Sequence, residues 1–199
     1  FLLACSPVAT ATLTREPESQ IYFREAKIFS VIHSETIAAL ASAIDTLASE
    51  SRSRANLGRG DSSGLLTVDP NRMTTEGILN AIREANSPVL PPEAQELLKK
   101  DKATLDELLL RVKSDQIKLL QTLPPPGTPT NFHERAIATL DQETGILLSL
   151  LNFYSSLGLS RGGPQFQEFP AKFADAKVRV VLTAELWIKA KTSLDAMSS

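Results

Sequence analysis

An all-α fold, an antiparallel four-helix bundle with one additional short helix in a long crossover, is what this chain of 199 residues predicts. Three observations lead there. Four long segments repeat apolar residues at mixed spacings of three to five, the mark of a helix stripe. The stretches between them are rich in proline and glycine, which end helices. One β-branched run, Val178-Arg179-Val180-Val181-Leu182-Thr183, has strand character. No second run offers it a partner, so helix is the better reading there as well.

The first helix is expected over 18–51, behind Pro17, where a proline is tolerated ahead of the first turn. Phe29, Ile32, Ile37, Leu40, Ile44 and Leu47 trace its apolar stripe. Alanines 38, 39, 41, 43 and 48 favour helix and let a neighbour approach closely. The period then disappears over 51–73, where Arg52-Ser53-Arg54 and a Gly/Ser cluster mark a loop. Leu65-Leu66-Thr67-Val68 is a short extended segment or a plug against the core. Arg59-Gly60-Asp61 resembles an integrin-binding tripeptide, but in such a loop a solvated turn explains it.

A short helix over 75–85 carries Ile78, Leu79 and Ile82 and stops at Asn86-Ser87-Pro88. Pro91-Pro92-Glu93 opens the next, which reaches about residue 123 with Leu98, Leu105, Leu108, Val112, Leu119 and Leu123 on its stripe. Lys99-Lys100-Asp101-Lys102 interrupts that stripe and reads as an exposed face. Thr104 with Glu107 could cap a break near Ala103, although a continuous helix is preferred. Pro124-Pro125-Pro126-Gly127-Thr128-Pro129 is a stiff connection that ends it.

Asn131 with Glu134 resembles a capping box for a helix over 131–157, with Ile137, Leu140, Leu147, Leu151 and Tyr154 inward and Gly158 as its C-cap. A glycine-rich loop follows, whose Phe166 and Phe169 are expected to fold back onto the bundle. The last helix begins near Pro170 and carries Phe173, Val181, Ala184, Trp187, Ile188 and Leu194.

Composition narrows the function. The net charge is -2 and aromatics make up 6% of the chain, so neither a basic nucleic-acid face nor a stacking platform is expected. No uninterrupted run of about 18 apolar residues occurs, so no membrane-spanning helix is expected. Motifs for di-iron carboxylate bundles, covalent haem, nucleotide phosphates and serine hydrolases are absent. Neither a cofactor nor an enzymatic activity is expected.

His33 and His133 are the only histidines, and both fall on apolar stripes. One reading has them face each other and hold a metal, a haem or another small ligand, since neutral imidazoles are good ligands. The plainer reading makes them boundary residues that hydrogen-bond a neighbour or water. Glu143, Asp141 and Glu185 lie beside apolar positions and could do acid–base work as a buried pair. A solvated helix flank explains them equally well.

The N-terminus carries the most specific signal. Leu2-Leu3-Ala4-Cys5 resembles the lipobox of bacterial lipoproteins, with small Ala4 before the cut and apolar Leu2 two positions further back. The resemblance implies that residues 1–4 end a signal peptide and that a diacylglycerol is attached to the Cys5 thiol. Cys5 is the sole cysteine, so no intrachain disulfide is possible. Residues 5–17, rich in Thr, Ala and Pro, then read as a tether, and 18–199 as a single bundle domain. Ser6 rather than Asp after the cysteine implies sorting to the outer membrane, facing periplasm or exterior, in Gram-negative lipoproteins. The expectation is therefore a lipid-anchored, non-enzymatic structural or interaction module of the cell envelope. Its partners would be the membrane, through Cys5, and an unidentified protein.

Overall fold

A computed structural model describes residues 17–57, 89–158 and 163–197. It contains helices α1 (Glu18–Leu57), α2 (Pro92–Gln121), α3 (Asn131–Ser156) and α4 (Phe169–Met197). A 3-10 turn, Pro164–Glu168, leads into α4. Among the described residues there is no strand, and the chain is an all-α bundle. The expected helix over 75–85, the segment at 65–68, the tripeptide at 59–61 and the N-terminal stretch with Cys5 lie outside the described residues.

α1 packs on α2 and α4, and α3 packs on the same two. Cross-links fix the directions. Arg54 and His33 of α1 reach Asp101 and Asp115 of α2, in reverse order. Ser34 and Asp45 meet Trp187 and Lys177 of α4, again reversed. Tyr154 and Asp141 of α3 meet Asp101 and Gln116 of α2, and Thr183 of α4 bonds Gln142 of α3. Each neighbouring pair is antiparallel.

The inward faces follow a 3–4 alternation, the spacing of a coiled-coil seam. In α2 the seam runs Ala94, Leu98, Asp101, Leu105, Leu108, Val112, Asp115 and Leu119, with Leu109 buried beside it. In α4 they run Phe173, Ala176, Val180, Thr183, Trp187, Ala190 and Leu194. Small and polar residues occupy several of these places. This explains why an apolar count misplaces Ile32, Leu123, Val181 and Ile188, which are exposed rather than buried. Phe166 and Phe169 do fold back and are fully buried, with Phe169 against Phe153, Tyr154 and Phe173.

Helix limits differ from expectation where polar residues act. α1 runs to Leu57, past residue 51, because Arg54 and Ala55 are buried and Arg54 is anchored to Asp101. α2 passes Ala103 without a break, and Thr104 Oγ1 bonds the Lys100 carbonyl of its own helix instead of capping a new one. Asp101 is buried, so the 99–102 cluster is not wholly an exposed face. Thr130, not Asn131, precedes the first turn of α3, and its hydroxyl donates to Glu134 Oε1 at 2.7 Å. At the other end Leu157, in extended conformation, caps α3 in place of Gly158.

The connection from α2 to α3, residues 122–130, contains a tight turn. The Thr128 N–H donates to the Pro125 carbonyl at 3.0 Å, and Gly127 between them has φ 83°. Proline then glycine at the two central positions suits a type II turn, which needs positive φ at the second.

One 18-residue window of α1 has a mean hydropathy of 1.3. By length and composition α1 is thus apolar enough to cross a membrane, which counting uninterrupted apolar residues did not show. The same composition serves a core helix, and α1 buries Phe29, Ile37, Leu40, Ile44 and Leu47 in the bundle.

Candidate functional site

Two polar clusters occupy the seam. The first is built from three helices. His33 Nδ1 lies 3.0 Å from Asp115 Oδ2, and Thr36 Oγ1 donates to the same oxygen at 2.7 Å. Lys118 Nζ lies 3.5 Å from Asp115 Oδ1. On the other side of the ring, His33 Nε2 faces Glu143 Oε1 of α3 at 3.5 Å. Both His33 and Glu143 are 0% exposed.

Aromatic rings hold the imidazole in place. Phe29, one turn back on α1, stacks on it at 5.5 Å and 11°. Trp187 meets it edge-on at 4.5 Å and 86°, and is itself fixed by donating Nε1–H to Ser34 Oγ at 2.9 Å.

The electrostatics of the two carboxyls diverge. Burial alone would raise the Asp115 pKa, but hydrogen bonds from His33 and Thr36, with the charge of Lys118, hold it below the ordinary range. Asp115 is thus a carboxylate, and His33 Nδ1 is the proton donor between them. Burial, joined by the negative charge of Asp115, pushes Glu143 up to about 8. Glu143 is therefore the neutral acid at pH 7. The three groups face one another across α3, α1 and α2, but His33 Nε2 and both Glu143 oxygens are buried without a hydrogen-bond partner.

The second cluster sits near the opposite end of the bundle. Arg54 Nε and Nη2 donate to the two oxygens of Asp101 at 2.8 and 3.2 Å. Tyr154 donates its hydroxyl to Asp101 Oδ2 at 3.1 Å, and Glu50 receives a third bond from Arg54. Burial raises the Tyr154 phenol, helped by the neighbouring Asp101 charge, so it stays a donor.

Against the sequence reading, His33 is not a boundary residue but sits in the core, with a carboxyl opposite each ring nitrogen. Neither nitrogen is open to an axial ligand while Asp115 and Glu143 hold those places. His133 is buried in the first turn of α3, with Nδ1 lacking a hydrogen-bond partner and burial lowering its pKa. No hydrogen bond or ring contact joins the two histidines, and no group of three metal-binding side chains converges among the described residues. Glu143 is buried rather than a solvated flank, whereas Asp141 and Glu185 are exposed.

Sequence reasoning missed Asp101, Asp115, Arg54 and Tyr154 as partners. Their signal was positional, because Asp101 and Asp115 fall on the 3–4 seam of α2. A surface groove of about 480 Å³ between α3 and α4 is lined by Gln142, Ile146, Arg179, Thr183, Glu185 and Lys189, and does not include the polar clusters. No protein-family model, no curated protein and no solved structure matches this chain.

Proposed function

We propose that this chain is a lipid-anchored helical domain of a bacterial cell envelope, serving as a structural or protein-interaction module without chemistry of its own. The observation that carries the reading is Leu2-Leu3-Ala4-Cys5, a lipobox-like stretch ahead of the bundle. Two or three acyl chains at that sulfur would hold a domain on a bilayer stably, since each buried CH2 contributes about 0.8 kcal/mol.

The core supports the non-enzymatic half of the proposal. Its strongest acid–base groups, His33, Asp115 and Glu143, are buried against one another where a substrate has no contact. Such groups set helix register and partner choice within a bundle, a role attested for polar seam residues.

Detergent phase partitioning tests the anchor. The gene with its own upstream region is expressed in a bacterium, beside a Cys5→Ala variant. The parent is expected in the detergent phase and the variant in the aqueous phase. Equal aqueous partitioning of both would overturn the proposal.

A further inference from the structure

We propose that this chain pairs with a second copy of itself, the two α4 helices lying antiparallel across a twofold axis at Leu182. The pairing is independent of the anchor at Cys5.

The face of α4 turned away from the core is apolar at its middle. Val178 is 60% exposed and Leu182, one turn on, 52%. Leu182 also lines the groove between α3 and α4, together with Ile146 and Leu186, so the axis falls on apolar surface. Exposed apolar surface rimmed by charge is the mark of a contact with another molecule.

The charges around Leu182 say which molecule. Asp175, Leu182 and Lys189 recur at intervals of seven, so they share one stripe of α4. Arg179 and Glu185 stand three residues either side of Leu182. Each charge ahead of Leu182 thus has its opposite at the same distance behind it. Two such helices laid antiparallel bring Asp175 level with Lys189 of the second copy, and Arg179 level with Glu185 of the second copy. Twofold symmetry repeats each pair, so one isologous contact uses both halves of the pattern at once. A parallel pairing would instead set every charge against its like, which is costly.

These charges are available for such a contact. The Asp175 side chain is 69% exposed, and its contact with Arg179 is a long 3.9 Å. Glu185 and Lys189 are exposed and join no ion pair among the described residues. Lys177, on the flank towards α1, differs in being paired with Asp45. Burial of the leucines at the axis would favour association, while the charges to either side fix its direction and register.

Sedimentation equilibrium of full-length, unlipidated protein tests the pairing, from micromolar to millimolar concentration. Reductant is present so that Cys5 forms no disulfide between copies. The parent is expected in equilibrium between monomer and dimer. Asp175→Lys and Lys189→Asp each set like charges opposite one another, twice over, and should each weaken the dimer about tenfold or more. Mixed in equal amounts, the two variants should pair again, because one copy then offers only cations at these two positions and the other only anions. Leu182→Glu, which puts two carboxylates on the axis, should abolish the dimer by itself. All three positions are exposed, so the bundle should keep its fold. A parent that stays monomeric throughout would overturn the proposal and leave this face to a different occupant. Single variants as dimeric as the parent, or a mixture no more dimeric than its components, would overturn it too.

Discussion

His33 and Asp115, 82 positions apart in the chain, are joined by a 3.0 Å hydrogen bond sealed inside the bundle. The bond ties α1 to α2 at one register, because a shift along the seam would bury both groups without a partner. Asp115→Ala leaves the His33 Nδ1–H and the Thr36 hydroxyl buried and unbonded. The expected loss is about 3–5 kcal/mol, as for other broken buried charge pairs, read by urea unfolding. A loss below about 1 kcal/mol would place the pair at a wet surface.

Glu143 predicts a pH dependence. Its folded pKa is about 8 against an ordinary 4.5. Between those values the folded chain keeps a proton that the unfolded chain has lost, so stability falls as pH rises through that window and levels off above it. Glu143→Gln removes this contribution. The variant should gain on the parent steadily with pH across the window, read as urea midpoints at several pH values. Parallel profiles would contradict the assignment of Glu143 as the buried neutral acid.

Asp115 acts in the opposite sense. Its folded pKa is held down, so the stability it contributes is present above the unfolded value and is lost as pH falls through the folded one. Asp115→Asn should therefore narrow the gap to the parent in acid, below the ordinary carboxylate range. A gap unchanged by acid would show that Asp115 carries no charge in the fold.

The Arg54–Asp101 pair separates specificity from stability. Arg54→Ala strands Asp101 beside Tyr154 and should cost about 3–5 kcal/mol. Arg54→Met combined with Asp101→Leu removes both charges and should recover most of that loss. A double variant as unstable as the single one would mean that the pair contributes through more than its charge.

Two glycines should respond with opposite signs. Gly145 lies within α3, and a Cβ there would meet only the flexible Arg179 Nη2 at 3.5 Å, so Gly145→Ala should stabilise by about 0.5–1 kcal/mol. Gly127 has φ 83°, so Gly127→Ala should destabilise by about 1–2 kcal/mol. Thermal unfolding reads both, and matching signs would contradict the backbone assignment.

The four helices were legible because Phe29, Leu40, Leu105, Leu140 and Phe173 mark the inward faces strongly enough to survive interruptions. The polar clusters were not. Asp101 looks like part of a lysine-rich surface until α2 is threaded on the 3–4 spacing that its leucines define. Glu143 looks like its exposed neighbour Asp141 until α3 too is threaded on the 3–4 spacing, where Glu143 falls three after Leu140 and four before Leu147. The partners that bury them, such as Arg54 and Tyr154 for Asp101, lie 47 and 53 positions away, and local periodicity does not name them.

The most direct measurement is the intact mass, with N-terminal fragmentation, of the protein recovered from membranes of a bacterium expressing the gene with its own upstream region. The account predicts a chain beginning at Cys5 with a diacylglycerol in thioether linkage to its sulfur. A free thiol at Cys5, with Leu2-Leu3-Ala4 still attached ahead of it, would contradict it.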